Sequence, residues 1–499
     1  MQVVLAAKIW RDNASVMLSQ RSMFFRRART SCRPQFHRFT VVLLLVVLNA
    51  ARAGEVITLE AENGALVNVH VSMEAPGFSG TGYVTDFRTE NDKIRFNFKV
   101  KATGPYHLLV RYCSPFGPKK FNGIIEGMDF SGEFPQTKAF VMFDVGTVKL
   151  VAGDNTLEIG GGSGWYDIDR VDLYYFPMPL PVPVKLTDAQ ATPAARELMQ
   201  KLVNDYGSRT WSGQHEALDL PYLRKTTGRE PLIIEGDFVD YSPSRVAHGS
   251  TPTNYTENLI ALGRQGHVIA FCWHWNAPTR LLDTTDQPWW KGFYTSATTF
   301  DVADALANTN SINYVLLLRD IDAIAVQLKK LSDANIPVLW RPLHEAQSGG
   351  FWWGAKGPEP FKQMWRLLFN RLTTYHELHN LIWVFTWDNP TPNPAWYPGD
   401  DVVDVIGLDS YPKDRRDTLK PAWEVLKQRY DGKKLIALTE FGGVPDVERM
   451  QNYGVWWSWF SSWTGQFGPY GPASSPTNVV IRIYQSPSVA TLPGLGPPH

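Results

Sequence analysis

Cysteine is scarce, with three in 499 residues, at positions 32, 113 and 272. So few thiols exclude a disulfide-stapled scaffold, and no Cys pair at metal-ligand spacing or HExxH stretch supplies a zinc site. Cys113 and Cys272 fall in strand-like runs of different domains and are read as buried thiols, while Cys32 departs with a leader. Net charge is also missing: 49 Lys and Arg balance 49 Asp and Glu, so bulk electrostatics draw the chain neither to nucleic acid nor to an anionic membrane. The apolar run Val41–Leu48 is too short to span a bilayer. Preceded by Arg21, Arg26, Arg27 and Arg29 and followed by Ala51-Arg52-Ala53, it reads as the core of a secretion signal over 1–53. The mature protein is then expected outside the cell, with no membrane segment.

Aromatics are plentiful by contrast, and the 19 Trp have to fill cores or offer flat faces to a ligand such as a sugar ring. Residues 54–176 carry short β-prone runs broken by Gly, Pro, Asn and Asp. The alternation in Lys93-Ile-Arg-Phe-Asn-Phe-Lys-Val predicts an all-β sandwich. The Pro-rich stretch 177–184 is a semi-rigid linker. From 185 to 499 strand-like and helical runs alternate. Candidate strands are Thr210–Gln214, Pro231–Val239, His267–Trp275, Ile336–Glu345, Leu381–Trp387, Val403–Tyr411, Leu435–Phe441 and Gly454–Trp463. Between them, Ile321, Ile324, Leu328 and Leu331 recur at helical spacing. Eight such units predict a (β/α)₈ TIM barrel with its active site at the strand C-termini. Polar and aromatic residues gather there: Cys272-Trp-His274-Trp on the third strand, His344-Glu345 on the fourth, Asp409-Ser-Tyr411 on the sixth, Glu440 on the seventh and Trp463 on the eighth. Two carboxylates at barrel-strand tips are the requirement of glycoside hydrolysis.

Trp340-Arg-Pro-Leu-His-Glu345, Phe351-Trp-Trp-Gly-Ala-Lys-Gly-Pro-Glu-Pro and Leu438-Thr-Glu-Phe-Gly442 resemble glycoside hydrolase family 26, mostly retaining endo-β-1,4-mannanases. The resemblance implies Glu345 as acid/base and Glu440 as nucleophile, with His344 orienting the acid/base and Tyr411 bonding the nucleophile. It implies sugar-hydroxyl contacts from His274 and Asp409 and stacking faces from Trp353 and Trp463. No cofactor is expected for catalysis. Leu59-Glu60-Ala-Glu62-Asn and Trp165-Tyr-Asp-Ile-Asp-Arg-Val-Asp172-Leu resemble the two ends of a family 35 carbohydrate-binding module. That similarity implies a structural Ca²⁺ held by Glu60, Glu62 and Asp172, with Trp165 and Tyr166 offered to sugar. The expected partner is β-mannan, acted on by a monomer. A β-glucanase or xylanase on the same scaffold, or a non-catalytic polysaccharide-binding protein, are the alternatives.

Overall fold

A computed structural model of the protein describes residues 56–388, 391–471 and 474–494, so the signal read over 1–53 lies outside the described residues. Two compact units follow one another, meeting in sequence at Met178 and Pro179. No described helix is long and apolar enough to cross a membrane.

The first unit owes its form to period-two patterning. Ile94, Phe96, Phe98 and Val100 all point inward from the strand Lys93–Val100 while their neighbours face out. The facing strands Gly104–Cys113 and Asp167–Tyr175 contribute Tyr106, Leu108, Val110, Val171 and Leu173 to the same core. Six strands in one antiparallel sheet and five in the other make the sandwich. Each fully buried side chain of this kind stabilises the unit by about 1.5–3 kcal/mol before entropy is counted.

The second unit is a closed barrel of eight parallel strands: β1 (Gly213–His215), β2 (Ile233–Asp237), β3 (Val268–Cys272), β4 (Val338–Arg341), β5 (Leu381–Trp387), β6 (Val405–Ser410), β7 (Leu435–Phe441) and β8 (Phe460–Ser462). Strands buried on both faces read as continuous apolar runs, which is why β5 and β7 have the bounds expected from the sequence. The helix Ile312–Asp333 buries Ile321, Ile324, Leu328 and Leu331 as one stripe. At the N-terminal end of the barrel, Ile233, Leu339, Val405 and Leu435 share a cluster with Leu198, Met199 and Leu202 of the helix Pro193–Asp205. That plugged end leaves the opposite one for chemistry.

The six strands other than β5 and β7 differ in their bounds from expectation, and in β1, β8 and β4 the cause is visible. Thr210 and Trp211 pair with Val489 and Ala490 in a separate three-stranded sheet, because Ser212 directs both its N–H and its hydroxyl to the Ala490 carbonyl. Barrel pairing begins at Gly213, where a Cβ would sit 2.5 Å from the Phe460 carbonyl oxygen. β8 is confined to Phe460–Ser462, its register with β7 broken by an irregularity between Leu438 and Phe441. β4 stops at Arg341. Pro342 has no N–H to extend the ladder, and Leu343 and Glu345 turn into the left-handed region at φ 50° and 51°.

Candidate active site

Arg341, the last residue of β4, lies buried at the centre of the C-terminal end of the barrel. Its Nε donates to Glu235 of β2 at 2.8 Å, Nη1 to Asp409 of β6 at 2.9 Å and Nη2 to Glu440 of β7 at 2.5 Å. A rigid guanidinium fork can serve three carboxylates from different strands where a lysine cannot. The sequence reading passed over Arg341 and Glu235, although a charge embedded in an apolar strand must be paired to be buried. That requirement was the available signal.

A bulge sets the β6–β7 geometry. Leu408 is opposite Leu438, but Asp409 is opposite Glu440, so Thr439 is the extra residue. Its hydroxyl donates to Asp409 Oδ1 at 2.7 Å. Both Asp409 oxygens are thereby engaged, one by Thr439 and one by Arg341, and its side chain is wholly buried. Where a sugar contact was expected, the structure places Asp409 as a buried brace for Arg341. Burial raises its carboxyl well above the usual range against the pull of Arg341, and the charges of Glu440 and Glu345 add to the rise.

Tyr411 donates its phenol to Glu440 Oε2 at 2.5 Å. Burial, with the Glu440 and Glu345 charges, pushes that phenol far up, so it remains a donor. Glu440 thus receives Arg341 on one oxygen and Tyr411 on the other, and hydrogen bonds to charged groups contribute about 1.5–3 kcal/mol each. Glu345 stands on the turn beyond β4 and is 8% exposed. One of its carboxylate oxygens and one each from Asp409 and Glu440 lie within 4.8 Å of one another.

His274 was expected to meet sugar hydroxyls, but both its ring nitrogens are occupied. Nδ1 donates to Asp237 Oδ2 at 2.6 Å, and Nε2 is 3.2 Å from His344 Nε2. It is a buttress for His344. His344 in turn lies 4.0 Å from Glu440 Oε1, beside the nucleophile candidate. Burial, then Arg341, His274 and His215, hold His344 well below the usual imidazole range, so it is neutral. Glu235 shows the opposite balance: burial opposes its charge, yet Arg341 and His215 hold its carboxyl down at about 2.

Trp463 lies at the end of β8 with its ring stacked on His215, centroids 4.1 Å apart. Trp353 is wholly buried, donates its indole N–H to the His344 carbonyl at 2.9 Å and stacks on Phe351. The stacking face expected of it is corrected to a support behind the site.

In the sandwich, Trp165 is 54% exposed, with Phe116 edge-on at 6.4 Å and the Arg88 guanidinium 5.4 Å over its ring. Phe116, 72% exposed in a turn, was not singled out from the sequence. Tyr166 is corrected to core: it stacks on Phe87 and donates to the Gly161 carbonyl at 2.8 Å. Glu60 and Glu62 converge on the Ser79–Thr81 loop, but Asp172 is paired with Arg170 and accepts from Thr58. Its neighbour Asp169 is the acid that shares Ser79 with Glu60. Burial raises the Glu60 carboxyl, and the Glu62 and Asp169 charges add to the effect. One Glu62 oxygen, Oε2, is buried without a hydrogen-bond partner. Asp169 is ion-paired with Arg111 just as Asp172 is with Arg170, so of the expected Ca²⁺ donors Glu60 and Glu62 are the two that face the Ser79–Thr81 loop.

These features have known counterparts. The model of glycosyl hydrolase family 26 matches residues 187–489, and that of carbohydrate binding module family 35 matches 57–175. A mannan endo-1,4-beta-mannosidase of Thermothelomyces thermophilus is 42% identical over 87% of this chain and 89% of its own length. Mannan endo-1,4-beta-mannosidase A of Piromyces sp is 31% identical over 86% of this chain and 71% of its own. The crystal structure of a Podospora anserina GH26-CBM35 β-(1,4)-mannanase is similar at TM-score 0.65 and 41% identity, over 89% of this chain and 99% of that one. With its matching barrel, sandwich and strand-tip carboxylates, the chain belongs to glycosyl hydrolase family 26.

Proposed function

We propose that the chain hydrolyses internal β-1,4-mannosidic bonds by double displacement, with Glu440 attacking the anomeric carbon and Glu345 protonating the departing oxygen. The observation that carries this reading is the close approach of the two carboxylates, with an oxygen of one within 4.8 Å of an oxygen of the other. Retaining enzymes hold the pair about 5–5.5 Å apart, whereas inversion needs roughly 6.5–9.5 Å to admit a water. Asp409, the third acid of the group, is occupied by Arg341 and Thr439. Mannanase activity follows the relatives; glucan and xylan are the competing substrates. Proton NMR of mannohexaose hydrolysis tests the stereochemistry: β-anomer appearing first supports the reading, and α-anomer first overturns it.

Export rests on the basic, apolar and small-residue order of residues 1–53, checked by N-terminal sequencing of culture supernatant. The Trp165–Phe116 surface is the polysaccharide-binding face of the sandwich. Glu60 and Glu62 would hold Ca²⁺ at the Ser79–Thr81 loop, offsetting the repulsion between them. Chelation is then expected to lower the unfolding temperature of the sandwich while leaving hydrolysis of soluble oligosaccharide unchanged.

A further inference from the structure

Glu216, directly after β1, adopts φ 66° and ψ 133°, a conformation that a side chain other than glycine rarely takes. Such backbone costs about 1–3 kcal/mol and persists only where surrounding contacts impose it. Two contacts do so here: its N–H donates to the Glu235 carbonyl at 2.8 Å, and its Oε1 accepts the Tyr255 phenol at 2.9 Å. The same phenol oxygen accepts the backbone N–H of Asp237 at 2.9 Å. Asp237 then grips His274 twice, Oδ1 on its backbone N–H at 3.0 Å and Oδ2 on Nδ1–H at 2.6 Å. This second grip fixes the tautomer that directs His274 Nε2 toward His344.

We propose that Glu216 is a positioning residue for hydrolysis, acting through Tyr255 and Asp237 on the His274–His344 pair beside Glu440. The proposal rests on the mannanase reading and adds a member to its machinery. A bystander acid would need neither the strained backbone nor a tyrosine shared with the carboxylate that orients His274. The groups facing Glu216 are His215 on its own strand, Tyr255 from the helix Tyr255–Arg264, and Asp237 and Asp240 from the end of β2 and the turn after it. Asp240 is itself paired with Arg245. Burial raises the Glu216 carboxyl to about 7, with His215 and Tyr255 opposing and the two aspartates adding. Its charge therefore changes near neutrality. Once ionised, it strengthens the Tyr255 bond and, through the polarised phenol, the hold on Asp237.

The test compares full-length wild type with Glu216→Gln, Glu216→Ala, Tyr255→Phe and the Ala/Phe double variant. Initial rates on soluble galactomannan from pH 5 to 9 are paired with pH titration of ¹⁵N-labelled histidine signals. Glu216→Ala and Tyr255→Phe are each expected to lower kcat about tenfold with KM within twofold. The double variant should fall no further, because both changes break one connection. Glu216→Gln keeps an acceptor for Tyr255 but cannot ionise. It should retain kcat at pH 6 within about threefold and lose the inflection near pH 7 in both the rate profile and the histidine signals. Additive losses, or a Glu216→Gln titration superimposable on wild type, overturn the proposal. Wild type inactive on mannan would sink the mannanase reading alone, since the histidine titration still decides the role of Glu216.

Discussion

Replacing Arg341 by Met removes the one guanidinium shared by Glu235, Asp409 and Glu440, at 2.8, 2.9 and 2.5 Å. Each close pair is worth roughly 4 kcal/mol at an effective dielectric of about 20, much of it offset by the cost of burying the charges. Removing one partner of a buried ion pair exposes that cost, and about 3–5 kcal/mol of destabilisation is expected. For a barrel of this size that lowers the unfolding temperature by roughly 6–10 °C. The carboxylates then shed their mutual repulsion by taking up protons, which silences the nucleophile. A fall in kcat of about a thousandfold, close to 4 kcal/mol, is expected on soluble mannan. Arg341→Lys separates the two effects: it restores a charge and part of the stability, but one ammonium cannot hold three strands in register, so kcat stays low. Scanning calorimetry and initial rates measure both. Arg341→Met unfolding within 2 °C of wild type and keeping more than a tenth of its kcat/KM would falsify the account of Arg341 as the organiser of the site.

Tyr411→Phe deletes only the phenol bonded to Glu440, so kcat should fall roughly 10- to 100-fold and the unfolding temperature by roughly 3–6 °C. A loss below threefold in steady-state rates would contradict this. Asp320, beneath the site and bonded to the Trp275 indole at 2.9 Å, is pushed up by burial to about 6. A raised carboxyl stabilises the fold fully below its unfolded value near 4 and loses that contribution as pH rises through 6. Asp320→Asn should therefore gain about 1–3 kcal/mol relative to wild type between pH 4 and 7, read from paired denaturant titrations. A constant difference across that interval would refute the assignment. Trp165→Ala should release the protein from insoluble mannan in pull-down while leaving kcat on short soluble substrates within twofold. Unchanged retention would move the binding face elsewhere on the sandwich.

The fold was legible wherever burial is two-sided. β5 and β7 are unbroken apolar runs with nothing else to become, whereas Thr210 and Trp211 have partners from both the barrel and a distant C-terminal strand, and only the hydrogen bonds of Ser212 decide between them. Glu345 and Glu440 were singled out by company rather than by position alone: a lone acid near a strand end is more often a salt-bridge partner, and it is the run of polar and aromatic residues at successive strand tips that marks the pair. The division of labour among their neighbours was not legible. Spacing brings His274 and Asp409 to strand tips, but whether a strand-tip group faces substrate depends on how many of its polar atoms the protein has already engaged. Here Asp237, His344, Arg341 and Thr439 engage them all. Trp353 and Tyr166 differ from expectation for another reason: their ring faces are buried, stacked on Phe351 and Phe87. Asp169 and Asp172 differ by three residues on one strand: Asp169 falls at the irregularity between Ile168 and Arg170 and meets Ser79 and Arg111, whereas Asp172 meets Thr58 and Arg170.

In the proposed double displacement, the arrangement around Arg341 gives two glutamates so close together different parts. Arg341's three hydrogen bonds go to Glu235, Asp409 and Glu440, and Tyr411 adds a second donor to Glu440. All of that positive character is aimed at the carboxylate that must attack as an anion. Glu345 is carried past it by the left-handed turn at Leu343 and Glu345, to a position where it retains some exposure. An acid that has to release and regain a proton in each cycle is better served there than under a fixed cation. The turn exists because Pro342 ends β4 one residue after Arg341. The order Arg-Pro-Leu-His-Glu thus performs two placements in five residues: it ends a strand on the cation that serves Glu440, then carries Glu345 onto the turn beyond.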